Sequence, residues 1–211
     1  QKVQRYPIEW AAALRKMADL EPELLLPGHG LPISGADNVA MVLGDTAELL
    51  ESITARTLEM MNAGARLDDI VHEVQPPAEL MERPWLQPVY DEPEFIVHNL
   101  WRLYGGWYDG DPSHLKPAPA AALAAELASL AGGADRLSER AAELAGAGDL
   151  RLAGHLAELA TQADPASREA HGVRAEVYRA RVRAESSLMA KGIFGWAEHE
   201  SAAIARGADE T

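Results

Sequence analysis

Apolar positions recur every three or four residues along most of this chain, and that period predicts helices. Tyr6 to Leu20 reads as a helix, with Pro7 in its first turn and Trp10, Leu14 and Met17 at helical spacing. Glu21-Pro22 stops it. The period then changes to a short unbroken run, Leu24-Leu25-Leu26, followed by Pro27-Gly28-His29-Gly30. Such a run predicts a buried strand that ends in a turn, and a loop with Pro32 and Gly35 follows. From Asn38 the helical period returns, with Val39, Val42, Leu43, Thr46, Leu49, Leu50, Ile53, Leu58 and Met61 as one long stripe. Gly64 suits the position just past that helix.

Leu67 to Val71 predicts a short helix. Gln75 to Glu94 holds five prolines and reads as an ordered loop, because it also carries Trp85 and Tyr90. Glu94 to Tyr104 predicts another helix, closed by the turns of Gly105-Gly106-Trp107-Tyr108-Asp109-Gly110. Beyond Pro119 come successive alanine-rich helices, Ala120 to Leu130, Ala134 to Ala147, Leu150 to Ala163 and Ser167 to about Ala184. Asp149 and Asp164 suit the N-caps of the helices after them. About two such hairpins are present, tetratricopeptide-like and too few for a free-standing solenoid. An amphipathic tail with Met189, Ile193, Phe194 and Trp196 follows.

Composition narrows the chemistry. The chain has 33 Asp+Glu against 19 Lys+Arg, and its formal charge of −14 leaves no basic block for phosphates, so nucleic acid is excluded as a partner. Zero cysteines exclude disulfides and thiolate sites. No apolar run has the length of a membrane span. Compartment stays open between cytoplasmic and periplasmic or secreted.

His29 is the first candidate for chemistry, since glycines on both sides bare the backbone around an imidazole at a strand end. Trp107 and Tyr108 are the second, either as structural aromatics that plug a helix junction or as the lining of an apolar channel. Arg102, one helical turn earlier, is a candidate for attracting an anion. The other six histidines share no metal-pair spacing. Glu48, Glu51, Glu139, Glu143 and Glu158 read as solvated faces.

Leu24 to Ile33, Asp45-Thr46-Ala47, Met61-Asn62-Ala63-Gly64, Leu86 to Tyr90, Gly105 to Gly110 and Gly148 to Ala153 occur in an order that resembles the C-terminal half of alkyl sulfatases of the metallo-β-lactamase superfamily. The likeness covers about residues 5 to 200. It implies a mainly α fold, with a short α/β remnant of the metallo-β-lactamase domain over 1–38, a helical dimerisation domain over 39–185 and a helical tail over 186–211. It also implies a zinc-dependent hydrolase of sulfate esters with two zinc ions in the complete enzyme. His29 would be one zinc ligand, and Trp107, Tyr108 and Arg102 would lie toward the substrate.

The expected partner is a second copy, with Leu43, Leu50, Ile53 and Leu58 as interface residues. The family's His-x-His-x-Asp-His motif is absent, as are the carboxylate ligands that precede His29 in the family. The chain alone is therefore expected to be inactive, part of a longer protein or a separately encoded piece that lacks its N-terminal catalytic domain and any sterol-carrier-like domain. The competing reading is a non-catalytic tetratricopeptide-like adaptor that binds a peptide.

Overall fold

The computed structural model describes residues 3–207, and compactness divides the chain into two units, Gln1–Leu115 and Lys116–Thr211. Neither of the expected boundaries at 38 and 185 coincides with that division, for reasons visible in how the helices pack.

The first unit begins with α1 (Pro7–Ala18), which has Pro7 at its first turn and Arg15 and Lys16 at its last, as the helix dipole favours. Two short strands follow, β1 (Leu24–Leu25) and β2 (Ile33–Ser34). They pair antiparallel, Leu24 opposite Ser34 and Leu25 opposite Ile33. The second strand is not apparent in the sequence pattern, because two residues are too few to show alternation.

The central element is α2 (Ala36–Asn62), 27 residues and therefore about 40 Å long. Its N-terminal half contributes Val39, Leu43, Ala47 and Leu50 to a core shared with Ala11 and Leu14 of α1. Its C-terminal half contributes Ile53 and Met60 to a second core, with Ile70, Val71 and Val74 and with Val97 and Leu100. These come from α3 (Leu67–Glu73) and its end, and from α5 (Pro93–Tyr104). Because α1 packs on α2 and α2 runs through both cores, the stretch up to 38 falls in the same compact unit as the helices after it.

The same burial corrects the expected interface. Leu43, Leu50 and Ile53 lie inside their own unit and Leu58 is half-buried, so these four do not present a free apolar face.

The proline-rich stretch holds more structure than a loop. It contains α4 (Ala78–Met81) and a 3-10 turn at Pro84–Leu86, and Arg83 pairs with Asp45 of α2 at 3.4 Å. A final turn, α6 (Pro112–Leu115), ends the unit.

The second unit is built from α7 (Ala120–Ala131), α8 (Ala134–Gly146), α9 (Leu150–Ala163), α10 (Arg168–Ala184) and α11 (Leu188–Arg206). Its cores are made largely of alanine. Ala141, Ala153, Ala157 and Ala160 are fully buried, which lets helix backbones approach closely. Asp149 caps α9, accepting from Leu152 N at 3.2 Å. Asp164 does not cap α10. Ser167 does, accepting from Ala170 N at 3.1 Å, while Asp164 turns the connecting loop through Ala166 N.

The tail after 185 is an integral helix. Arg174 of α10 is buried and donates to Glu158 Oε1 (2.8 Å), Glu200 Oε2 (3.1 Å), Ser201 Oγ (2.6 Å) and the Ala197 carbonyl (3.2 Å). Tyr178 donates to the same Glu158 oxygen at 2.7 Å, and burial together with that bond pushes its phenol up to about 12. Glu158 is therefore part of a helix clasp and not a solvated face. Phe194 of α11 lies 5.7 Å from the Tyr178 ring, with the Arg181 guanidinium 4.0 Å from the Phe194 ring centre. These bonds place α9, α10 and α11 in one body, so the unit has no seam at 185.

Candidate functional site

His29 sits at the tip of the β1–β2 hairpin and is exposed. Gly30 has φ +103°, a conformation that L side chains rarely adopt, so the turn requires glycine there. Gly28 has open space around it, and its lack of a Cβ relieves no contact within this chain. The apolar run before the turn is not buried as expected. Leu24 is 53% exposed and Leu26 68%, and Leu31 beyond the turn is exposed as well.

The surrounding surface has the same character. On α1, Ala11 and Leu14 face α2, while Trp10 and Met17 lie on an exposed flank of the helix, and Tyr6 before it and Leu20 after it are exposed as well. The Trp10, Leu14 and Met17 periodicity read from sequence therefore divides between two faces. That flank is apolar and, among the described residues, stays exposed.

The second locus is the loop after α5. Trp107 is 72% exposed, so it does not plug a helix junction; Tyr108 beside it is half-buried, in an edge-to-face arrangement with ring centres 6.5 Å apart. The residue that fixes the loop to its helix is Trp101, whose indole N–H donates to the Tyr108 carbonyl at 3.0 Å. Arg102 is exposed on α5. Asn99, on the same helix, holds the segment before α1. Its Oδ1 accepts from Arg5 N at 2.8 Å, and its carbonyl accepts from Gln4 Nε2 at 2.9 Å.

Past Trp107 the loop is stapled by acids. Asp109 Oδ2 meets His114 Nδ1 at 2.6 Å, and the Asp109 carbonyl accepts from Leu67 N at 3.1 Å. Asp111 Oδ1 accepts from both the N–H and the hydroxyl of Ser113, while its other oxygen pairs with Arg66 at 3.1 Å. Gly110, at φ +96°, leaves room that a Cβ would lose, since that Cβ would lie 3.0 Å from Arg66 Cγ. The hydrogen bond to Asp109 raises the His114 imidazole above its ordinary value, and the same bond holds the Asp109 carboxyl low.

His114 is thus a positioning residue that the sequence reading missed by grouping it with the scattered histidines. The signal was Asp-x-Asp-Pro-Ser-His, in which the second Asp caps the turn and the first meets the histidine five residues on.

The two loci are not joined. Among the described residues no hydrogen bond or ring contact links His29 to Trp107, Tyr108 or Arg102, and no group of three or more His, Cys, Asp or Glu could hold a metal ion. No helix among them is long and apolar enough to cross a membrane.

Comparison with known proteins gives this geometry a context. The family described as alkyl sulfatase dimerisation matches residues 66–203. A linear primary-alkylsulfatase from a Pseudomonas strain is 32% identical over 176 residues, which cover 83% of this chain and 33% of that protein. An (R)-specific secondary-alkylsulfatase from Pseudomonas is 30% identical over 166 residues, 78% of this chain and 25% of the relative. The solved structure of the stereoselective inverting sec-alkylsulfatase Pisa1 from Pseudomonas superposes with a TM-score of 0.86 at 25% identity, covering 98% of this chain and 33% of that one. The chain spans a third or less of the length of these relatives.

Proposed function

This chain belongs to the alkyl sulfatase dimerisation family, and from that premise we propose that it is the assembly portion of a hydrolase of alkyl sulfate esters. It joins two copies and closes the C-terminal side of a catalytic domain supplied from outside residues 3–207. The observation that carries the reading is the pairing of the 66–203 family match with the second, exposed apolar face of α1 and its hairpin. That face, with Tyr6, Trp10, Met17, Leu24 and Leu26, is where a preceding domain would pack, and His29 stands at its edge.

Zinc takes three or four protein ligands. One exposed imidazole is not such a site, so the residues of this chain do not fit the ion by themselves and no hydrolytic step is routed through them. For His29 the proposed role is narrower: it would supply one imidazole to a metal site whose other ligands lie outside this chain. Trp107 offers an exposed apolar surface for an alkyl chain, Tyr108 backs it, and Arg102 offers a cation to a sulfate.

Light scattering tests the assembly half of this reading. The chain should scatter as twice its 22.8 kDa mass. A monomer at 100 µM would overturn it. In the whole protein, replacing His29 with alanine should remove bound zinc and sulfate release from dodecyl sulfate together. Retention of both would remove His29 from the site.

A further inference from the structure

The second unit presents an apolar seam on its least charged long helix. Toward its own core α7 turns alanines, with Ala124 and Ala128 buried. Away from the core it leaves Leu123 54% and Leu130 78% exposed, with Leu127 half-buried between them. A helix with only its own domain to cover does the reverse, as α8 does with Leu137 and Leu144. The spacing 123, 127, 130 is the d, a, d step of a heptad, and Ala120 falls on the preceding a position. Glu126 is the one charged residue in the twelve of α7.

We infer that this leucine seam is the two-fold contact of the homodimer, packing against the same seam of a second copy. The inference rests on the assembly reading above and adds the surface that carries it. Two observations favour a second copy over the catalytic domain as occupant. The 66–203 family segment contains all of α7 and none of α1 or the hairpin, so the α7 row lies inside the dimerisation segment and the α1 face outside it. The second observation is charge. Each copy carries −14, and a two-fold interface brings the same patch of both copies together, so a patch free of acidic side chains meets its copy with least repulsion. An uncharged leucine row can face itself without repulsion; α8, with five charged residues in thirteen, cannot do so as readily. Three leucines fall short of the roughly 800 Å² per partner of a stable interface, so the seam is its centre and not its whole extent.

Sedimentation equilibrium on the full chain separates the possibilities. Wild type should be a dimer, and Leu123→Glu/Leu130→Glu should weaken self-association at least 100-fold with an unchanged far-UV spectrum. A monomeric wild type overturns the assembly reading and this inference with it. A dimeric wild type with an equally dimeric double variant overturns this inference alone. Because the chain has no cysteine, a second test is independent of any loss of folding. Leu127→Cys, at the middle of the row, should form a disulfide-linked dimer under mild oxidation at least ten times faster than Trp10→Cys on the α1 face. Equal rates would overturn the seam.

Discussion

Replacing Arg174 with alanine should cost the second unit about 3.5 kcal/mol, and the figure can be built from its partners. The guanidinium makes two charge-assisted bonds to Glu158 and Glu200, whose side chains remain 33% and 41% exposed. Water compensates both after truncation, so each is worth about 1 kcal/mol and not the 1.5–3 of a dry charged bond. The bond to Ser201 Oγ is dry, and its loss adds about 1 kcal/mol. The stem and head also lie 5.2 Å from the Tyr178 ring centre, a contact worth roughly 0.5 kcal/mol. The total sits at the low end of the ~3–5 kcal/mol seen when one member of a buried pair is removed.

If the whole chain melts cooperatively, ~2–4 °C per kcal/mol lowers the midpoint by about 7–14 °C. Melting should be followed by circular dichroism at fixed protomer concentration, since the midpoint of a dimer depends on concentration. Arg174→Lys should recover less than half of the loss, because an ammonium cannot reproduce a fork that reaches Glu158, Glu200 and Ser201 together. An Arg174→Ala midpoint within 2 °C of wild type would refute the argument that these donors hold α9, α10 and α11 in one body.

Other consequences follow from the first unit. Ile53→Ala empties a fully buried position where the second core meets α2 and should cost about 3–4 kcal/mol in urea unfolding, against under 1 kcal/mol for the exposed Met41→Ala. The His114–Asp109 staple has a defined pH window. The part due to His114, whose pKa is raised, is present below its ordinary value near 6.5 and fades as pH climbs through the raised one; the part due to Asp109, whose pKa is lowered, is present above about 4 and fades as pH falls through the depressed one. Proton titration of the His114 ring by NMR should therefore show a raised midpoint that Asp109→Asn returns to the ordinary range; an unmoved midpoint would break the assignment. Trp107→Ala should leave the melting temperature unchanged, because the ring is exposed, while raising KM for long-chain esters in the whole enzyme with kcat nearly constant. Equal KM values would remove Trp107 from the substrate path.

What the sequence revealed and what it hid divide along a physical line. Helices were legible because α2, α5 and α8 to α10 repeat their apolar residues at a fixed spacing, and Gly64 and Asp149 mark ends by local backbone chemistry alone. Which face each apolar residue would occupy was not legible, because periodicity reports that a residue avoids water and not what covers it. Trp10 and Leu14 both fit the period of α1, yet only Leu14 meets α2. Leu50 and Ile53, expected at an interface, belong to two cores, while Leu123 and Leu130 of α7 are exposed.

The staple of Asp109 and His114 was hidden for a related reason: a bond across five residues in a loop has no period to reveal it. The candidate site suffers the same limit more severely. Pro-Gly-His-Gly identifies a turn, but a metal site is a relation among several side chains, and one exposed imidazole does not define such a relation. The exposed apolar rows of α1 and α7 are legible in the same partial way: periodicity marks each as apolar, and only the fold shows that neither Trp10 nor Leu130 is covered by its own unit.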